Sequence, residues 1–307
     1  MEKIDRKIMI ELMNQTIQHF NPENPSFINE EQLDYELTNN DLTVLSRDFL
    51  IAEDNQGTRV GFAGLLKSSK KGWWVVMLYV LPAFLSTHFP GELFDEIISL
   101  AKKQSAPELR FYIHASFAAI HDKFQGLRIK PVQFFWKLRL DDFKNYPKYS
   151  IPSGITIRPQ KGIEDYPEYI SAFNEAFRED FAYNPLSEEH IKHVDQYVRK
   201  TNLLYNRIFA LEGNKIIGMV IPFGSSNPEQ KHIGTIGSLG VRPSYQRRGI
   251  GRSLLSSAIQ WLRKQDCTII ELGVSADNED ALGLYKKFGF YELKSQKFVT
   301  YSIKQNE

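Results

Sequence analysis

Two stretches of the chain read alike. Val80, Pro82, Phe84 and Leu93 stand opposite Val241, Pro243, Tyr245 and Leu254, each pair at a spacing of 161 (241 minus 80). Gly61 and Gly218 mark matching hairpins at a spacing of 157 (218 minus 61). One supersecondary unit used twice accounts for this more economically than two unrelated folds. The length agrees, since 307 residues are twice the ~150 of an ordinary domain.

Hydrophobic periodicity repeats in the same order. In the first half it predicts helices over Arg6–Phe20 and Glu30–Leu37, a hairpin of Phe49–Glu53 with Arg59–Leu66, and a strand over Trp73–Val80. A helix over Glu92–Lys102, a strand over Leu109–His114, a helix over Phe117–Phe124 and strands around Pro131–Leu140 follow. Trp73 and Trp74 open an apolar run and read as core or interface. Asp141 to Gly154, with two prolines, a Ser-Gly ending and no apolar period, reads as a linker between domains 1–140 and 155–307.

The second half predicts a strand from Ile155, a helix through Tyr169, Phe173 and Phe177, and a helix over Glu188–Lys200. A hairpin of Arg207–Glu212 with Lys215–Phe223 and a strand over Gly234–Val241 come next. The helix over Arg252–Gln265 carries Leu254, Leu255, Ala258, Ile259 and Leu262 on one face, suited to packing on a sheet. A strand over Thr268–Val274, a helix over Glu279–Phe288 and strands near Tyr291–Leu293 and Phe298–Ile303 complete it.

The charge balance, 38 basic against 37 acidic residues with no long block of one sign, argues against nucleic acid or an anionic membrane as main partner. No signal-peptide core and no apolar run of membrane-spanning length is present. The single cysteine, Cys267, excludes an internal disulfide or Cys-rich metal site and fits a reducing cytoplasm. Histidines 190 and 193 share a helix face, but with no third ligand they read as solvated, and no metal is expected.

Residues 241–252, VRPSYQRRGIGR, lie between a predicted strand and a predicted helix. A helix start has unpaired N–H groups and a partial positive charge, which suit a pyrophosphate. Gly249 and Gly251 let the backbone approach it, and Arg247, Arg248 and Arg252 add positive charge. The pattern is neither the Walker loop nor the dinucleotide GxGxxG. It resembles the GNAT acyltransferase superfamily, whose signature Gln/Arg-x-x-Gly-x-Gly/Ala is met by Gln246, Arg247, Arg248, Gly249, Ile250 and Gly251. Val-x-Pro upstream and the later stretch Asn278 to Phe290, NEDALGLYKKFGF, carry the rest of the likeness.

The resemblance implies an α/β fold with a mixed sheet: two tandem GNAT-like domains, each largely antiparallel with one splayed parallel pair and flanking helices. In the second domain the pair would be Gly234–Val241 with Thr268–Val274. Acetyl-CoA, as co-substrate, would lay its pantetheine arm along Leu239, Gly240 and Val241, its pyrophosphate on Arg247 to Arg252, and contact Asn278. Tyr285 would meet the departing thiolate. A phenol near pKa ~10 is a weaker acid than a thiol near ~8.5, so a hydrogen bond describes this better than full proton transfer.

The family's usual carboxylate is missing from Thr235 to Val241, leaving Glu175, Asp180, His232 and Glu271 as general-base candidates, each also readable as an ordinary surface or structural residue. Deprotonating a lysine-type amine at pH 7 costs about 4.6 kcal/mol, an α-amine about 1, so the gap favours a low-pKa amine or a proton relayed by water. The helices from Tyr169 to Tyr197 would border the acceptor, with Glu175, Glu179, Asp180, Tyr183, Glu188 and Glu189 suiting a cationic amine.

Opposite Gln246 to Gly251 the first half has Leu85-Ser86-Thr87-His88-Phe89-Pro90, without the arginines or glycines. It reads as a degenerate repeat, an arrangement similar to tandem GNAT proteins such as the mycothiol synthase group. The expectation is an N-acetyltransferase acting on an unidentified amine of a small molecule or peptide. The alternatives are a non-catalytic acyl-CoA binding or sensing protein, and a first half that docks a protein partner.

Overall fold

The computed structural model describes residues 5–20, 22, 28–69, 71–141, 146–147, 149–180, 183–201, 203–224 and 233–304, apart from the side chains of 294–296. Its first helices are α1 (Arg6–Phe20), α2 (Glu30–Asn39) and the short α3 (Leu45–Asp48). They lead into β1 (Phe49–Glu53), β2 (Arg59–Leu66), β3 (Trp74–Val80), α4 (Phe89–Lys103), β4 (Glu108–His114), α5 (Ala118–Gly126) and β5 (Gln133–Leu140). The second series is β6 (Ile155–Pro159), α6 (Tyr166–Ala176), α7 (Glu188–Thr201), β7 (Leu204–Tyr205), β8 (Ile208–Glu212), β9 (Lys215–Val220) and β10 (Pro222–Gly224). It ends with β11 (Ile233–Ile236), β12 (Gly240–Val241), α8 (Ile250–Lys264), β13 (Ile269–Ser275), α9 (Glu279–Lys287) and β14 (Tyr291–Lys304).

By contact the chain divides into two compact units, neither continuous in sequence. One holds Met1–Trp136, Ser275–Asp277 and Lys294–Glu307; the other holds Lys137–Val274 and Asn278–Leu293. The cut at 140/155 follows the sequence repeat, while the contacts assign Lys137–Leu140 to the second unit and Lys294–Glu307 to the first.

The first unit has strand order β1-β2-β3-β4-β14. β3 and β4 run parallel from Trp74↔Leu109 to Val76↔Phe111, after which β3 continues beside β2 alone. On the other side of β4, Phe298 to Lys304 of β14 pair antiparallel with His114 to Glu108. Val299, Tyr301 and Ile303 thereby enter a core with Leu93, Phe94, Ile97, Phe111 and Phe124. Tyr301 stacks on Phe124 with ring centroids 3.8 Å apart. On the opposite face Met9, Leu12, Met13 and Leu33 of α1 and α2 cover Phe49 and Phe62. Trp73 carries the Arg110 guanidinium 3.8 Å from its ring centroid.

The second unit has strand orders β5-β13-β11-β10-β7 and β12-β9-β8-β6. β11 and β13 are parallel from Ile233↔Ile269 to Thr235↔Glu271. The chain then leaves β13, and Gly240 and Val241 pair with Met219 and Gly218 of β9. That departure is the splay. The expected single strand Gly234–Val241 is therefore two, broken at Gly237-Ser238-Leu239, where the Gly237 N–H donates to the Ile221 carbonyl (2.8 Å) instead of continuing a ladder. The expected Lys215–Phe223 strand divides at Ile221 too, next to Pro222, which has no N–H to give. The two expected last strands are instead one, β14, and those around Pro131–Leu140 are β5 alone.

The repeat extends to backbone conformation. Left-handed residues follow the paired helices at Ser105 (φ 56°) and Asp266 (φ 62°), and at Arg128 (φ 60°) and Gly289 (φ 89°), all at the spacing of 161 (266 minus 105, 289 minus 128). Among the described residues no helix is long and apolar enough to cross a membrane.

Candidate active site

The loop between β12 and α8 is shaped by two left-handed residues, Arg247 (φ 63°) and Gly249 (φ 85°). Gly249 stands at the start of α8, which no side chain caps. The first turn of the helix thus presents its N–H groups as an anion seat does. A side chain at Gly249 would be strained by its backbone and would crowd Arg252, whose Nη2 lies 3.1 Å from the position of an added Cβ.

Gly251 is different. Its φ is not left-handed, and outside its chain neighbours and its own helix backbone an added Cβ would find no atom closer than Leu284 Cδ2 at 3.8 Å and Val241 Cγ2 at 4.0 Å. Nothing in the fold demands glycine there. The same two distances show that β12, the start of α8 and α9 converge on one point. Arg247 strengthens that convergence by an ion pair with Asp280 in the first turn of α9.

The other loop side chains hold the loop itself. Gln246 Nε2 donates to the Val241 carbonyl (3.1 Å), Arg248 donates to the Ser244 carbonyl (3.1 Å) and lies over Tyr245, and Arg252 lies over Tyr149. Ile250 is buried. Leu239 falls in the break between β11 and β12, so its backbone belongs to no ladder. Asn278 caps α9, its Oδ1 accepting from the Ala281 N–H at 3.0 Å. That gives Asn278 a structural role the sequence reading did not include.

Tyr285 is on α9, one residue past Leu284, and is buried with its ring edge-on to Phe290 at 5.8 Å. Burial pushes its phenol up to about 12. Giving its proton to a thiolate of pKa ~8.5 would be uphill by about 5 kcal/mol, so at neutral pH it is a hydrogen-bond donor rather than an acid.

Two of the base candidates are committed elsewhere. Glu271 is buried, with Oε1 bound by Arg139 (2.7 Å) and Oε2 by Lys137 (2.5 Å). Glu175 accepts from Arg242, a buried guanidinium that also binds Glu168 (2.8 Å), Ser171 (3.1 Å) and the Ile216 carbonyl (2.7 Å). Arg242 thereby clamps α6 to β9 and to the end of β12, a role that no local pattern in the sequence announces. His232 lies outside the described residues. Asp180 is in the turn after α6, its carbonyl accepting from the Tyr183 N–H (2.9 Å).

Among the expected acceptor residues, Glu188 pairs with Lys192 (2.7 Å) on the surface of α7, while Glu179 and Glu189 are exposed. Phe177, at the end of α6, covers Gly240 so closely that an added Cβ there would lie 2.7 Å from its ring. The described residues contain no cluster of three metal-ligating side chains.

The first unit lacks the same features position by position. α4 begins after His88 in an ordinary right-handed conformation, with Pro90 in its first turn. Phe117 stands where Asn278 caps, and Phe124 where Tyr285 stands (278 minus 117 and 285 minus 124 both give 161).

Residues 168–290 match the family model described as Acetyltransferase (GNAT) family. The mycothiol acetyltransferase of Rhodococcus jostii is 25% identical over 248 residues, 78% of each chain. That of Paenarthrobacter aurescens is 26% identical over 222 residues, 70% of this chain and 66% of the relative. A GCN5-related N-acetyltransferase from Sphaerobacter thermophilus shares the fold with a TM-score of 0.74 at 22% identity, over 97% of this chain and 91% of that one. A tandem GNAT protein from the clavulanic acid biosynthesis pathway also superposes with a TM-score of 0.74, at 13% identity, over 99% and 97% of the two chains.

Proposed function

We propose that the second unit, where residues 168–290 match the GNAT acetyltransferase family model, transfers acetyl from acetyl-CoA to a primary amine of a small molecule or peptide. Gly251 carries this reading. It stands uncrowded in the first turn of α8, between Val241 and Leu284, where the fold has no need of glycine and an approaching phosphate does. The name of the relatives, mycothiol acetyltransferase, supports acetyl as the group moved.

In this reaction the neutral amine nitrogen attacks the thioester carbonyl carbon. The adduct collapses with cleavage of the C–S bond, releasing amide and thiolate. The nitrogen gives up one proton and the thiolate takes one, so the balance closes with free CoA. Backbone groups at the break between β11 and β12 would polarise the carbonyl, and the Tyr285 hydroxyl would stabilise the leaving sulfur. With Glu175 and Glu271 both held in ion pairs, the amine proton leaves through water or the amine enters already neutral. This favours an acceptor of low pKa.

A non-catalytic coenzyme-binding protein is the second reading, favoured by the commitment of Glu175 and Glu271 to ion pairs. Calorimetry should find one CoA site per chain, weakened about tenfold or more by Gly251→Ala, while the melting temperature holds or rises because alanine is the better helix former by up to about 1 kcal/mol. Unchanged CoA affinity in that variant overturns the site. Release of free thiol with at least one of a panel of amines supports the enzyme, whereas binding without turnover on any of them supports the second reading.

A further inference from the structure

We propose that the first unit holds a ligand site of its own, away from the decayed coenzyme loop, for a small organic anion with an apolar body. A cavity of about 620 Å³ opens beside α4, the end of α5 and the end of β14, within the size range of small-molecule sites. No residue of the loop 85–90 lines it. Phe94 and Ile303 supply buried apolar lining, and Leu127 and Val132 add apolar surface that is 55% and 45% exposed.

The charged lining is of one sign. Lys102, Arg128, Lys130 and Lys304 face a single carboxylate, Asp95, which is already held by Lys123. None of the four cations makes an ion pair among the described residues. Four like charges around an apolar lining repel one another, and an anion seated there removes that cost.

Arg128 supplies the second observation. α5 ends in a turn whose Arg128 N–H donates to the Gln125 carbonyl and whose Ile129 N–H donates to the Phe124 carbonyl, both at 2.9 Å. The same turn ends α9, where Gly289 and Phe290 donate to the carbonyls of Lys286 (3.0 Å) and Tyr285 (3.1 Å). Glycine is the residue this turn favours, because a side chain held left-handed crowds the following carbonyl. The first unit nevertheless has arginine, with φ 60°, in that place. A residue kept against its backbone preference and lining a cavity points to a use for its guanidinium, which binds carboxylate or phosphate through paired N–H groups.

The test is titration of the full chain with octanoate, octyl phosphate and uncharged octanol, followed by calorimetry or ligand-observed NMR. At least one anion should saturate a single site about tenfold or more tightly than octanol, and the preferred head group tells carboxylate from phosphate. Arg128→Gly, which the turn favours, should weaken that binding about tenfold, leave acetyl-CoA binding unchanged, and hold or raise the melting temperature. No saturable binding by either anion, equal binding of octanol, or full binding by the folded Arg128→Gly variant would each overturn the site.

Discussion

The phenol of Tyr285 illustrates how burial decides between two roles for one residue. With its pKa pushed up to about 12, the group stays protonated through any ordinary assay range, so it can donate a hydrogen bond to sulfur but cannot be a titrating acid. Tyr285→Phe should therefore lower kcat about a hundredfold, with little change in CoA affinity since the ring packing survives. The kcat profiles of the two proteins should run parallel between about pH 6 and 9, because no ionisation of Tyr285 falls in that window. The raised value also works on stability. Its contribution is complete below the ordinary tyrosine pKa of ~10 and is lost as pH rises through about 12, and Tyr285→Phe should remove that part of the alkaline loss. Equal turnover in the two proteins would return Tyr285 to a packing role.

Among elements, α6 gives Glu175 an ion-pair partner, Arg242, as well as its place beside the expected acceptor groove. Glu175 looked suited to a cationic amine because it stands on a helix that borders the acceptor groove in the family. In the fold it faces Arg242, 3% exposed, whose remaining partners come from α6 and the segment of β9. Glu175→Gln leaves Arg242 with Glu168 and Ser171, and should cost about 1 to 2 kcal/mol of stability rather than act on one substrate. Thermal melting should show the loss, with the KM values for amine and acetyl-CoA unmoved or moved together. A selective rise in the amine KM with unchanged melting would restore the acceptor role. The helices and most strands were legible because their periods are local, and α1, β1 and β2 fall on the expected residues. The loop between β12 and α8 stood out because its glycines and arginines are contiguous in sequence. Arg242 and Glu271 were not, since their partners lie tens to more than a hundred positions away and no local pattern announces a buried ion pair. The break at Gly237–Leu239 was hidden for a similar reason: alternation of side chains continues across a change of strand partner.

At the scale of the whole molecule, the repeat in the sequence and the units in the fold divide the chain differently. β14 supplies Val299, Tyr301 and Ile303 to the core of the first unit, although it follows the second unit's α9. In the second unit, Lys137 and Arg139 of β5 neutralise buried Glu271 on β13, and Leu138 and Leu140 are buried beside them. Each unit therefore depends on a strand encoded at the far end of the other half. A chain divided after Asp141 makes this testable. The piece ending at Asp141 would lack the strand that covers β4, exposing Phe111, Ile113 and Phe124, three core side chains whose loss of cover costs about 1.5 to 3 kcal/mol each. The piece beginning after it would keep Glu271 buried without either cation, a state worth about 3 to 5 kcal/mol of destabilisation. Either penalty is comparable with the whole stability of a domain of this size. Separately expressed, neither piece should show a cooperative melt, and the C-terminal piece should not bind CoA. Mixed and refolded together, they should recover a single CoA site, because the broken peptide bond comes after the last residue of β5 and leaves that strand whole. A C-terminal piece that alone melts cooperatively and binds CoA as the full chain does would show that the two halves fold independently and that the exchanged strands are dispensable.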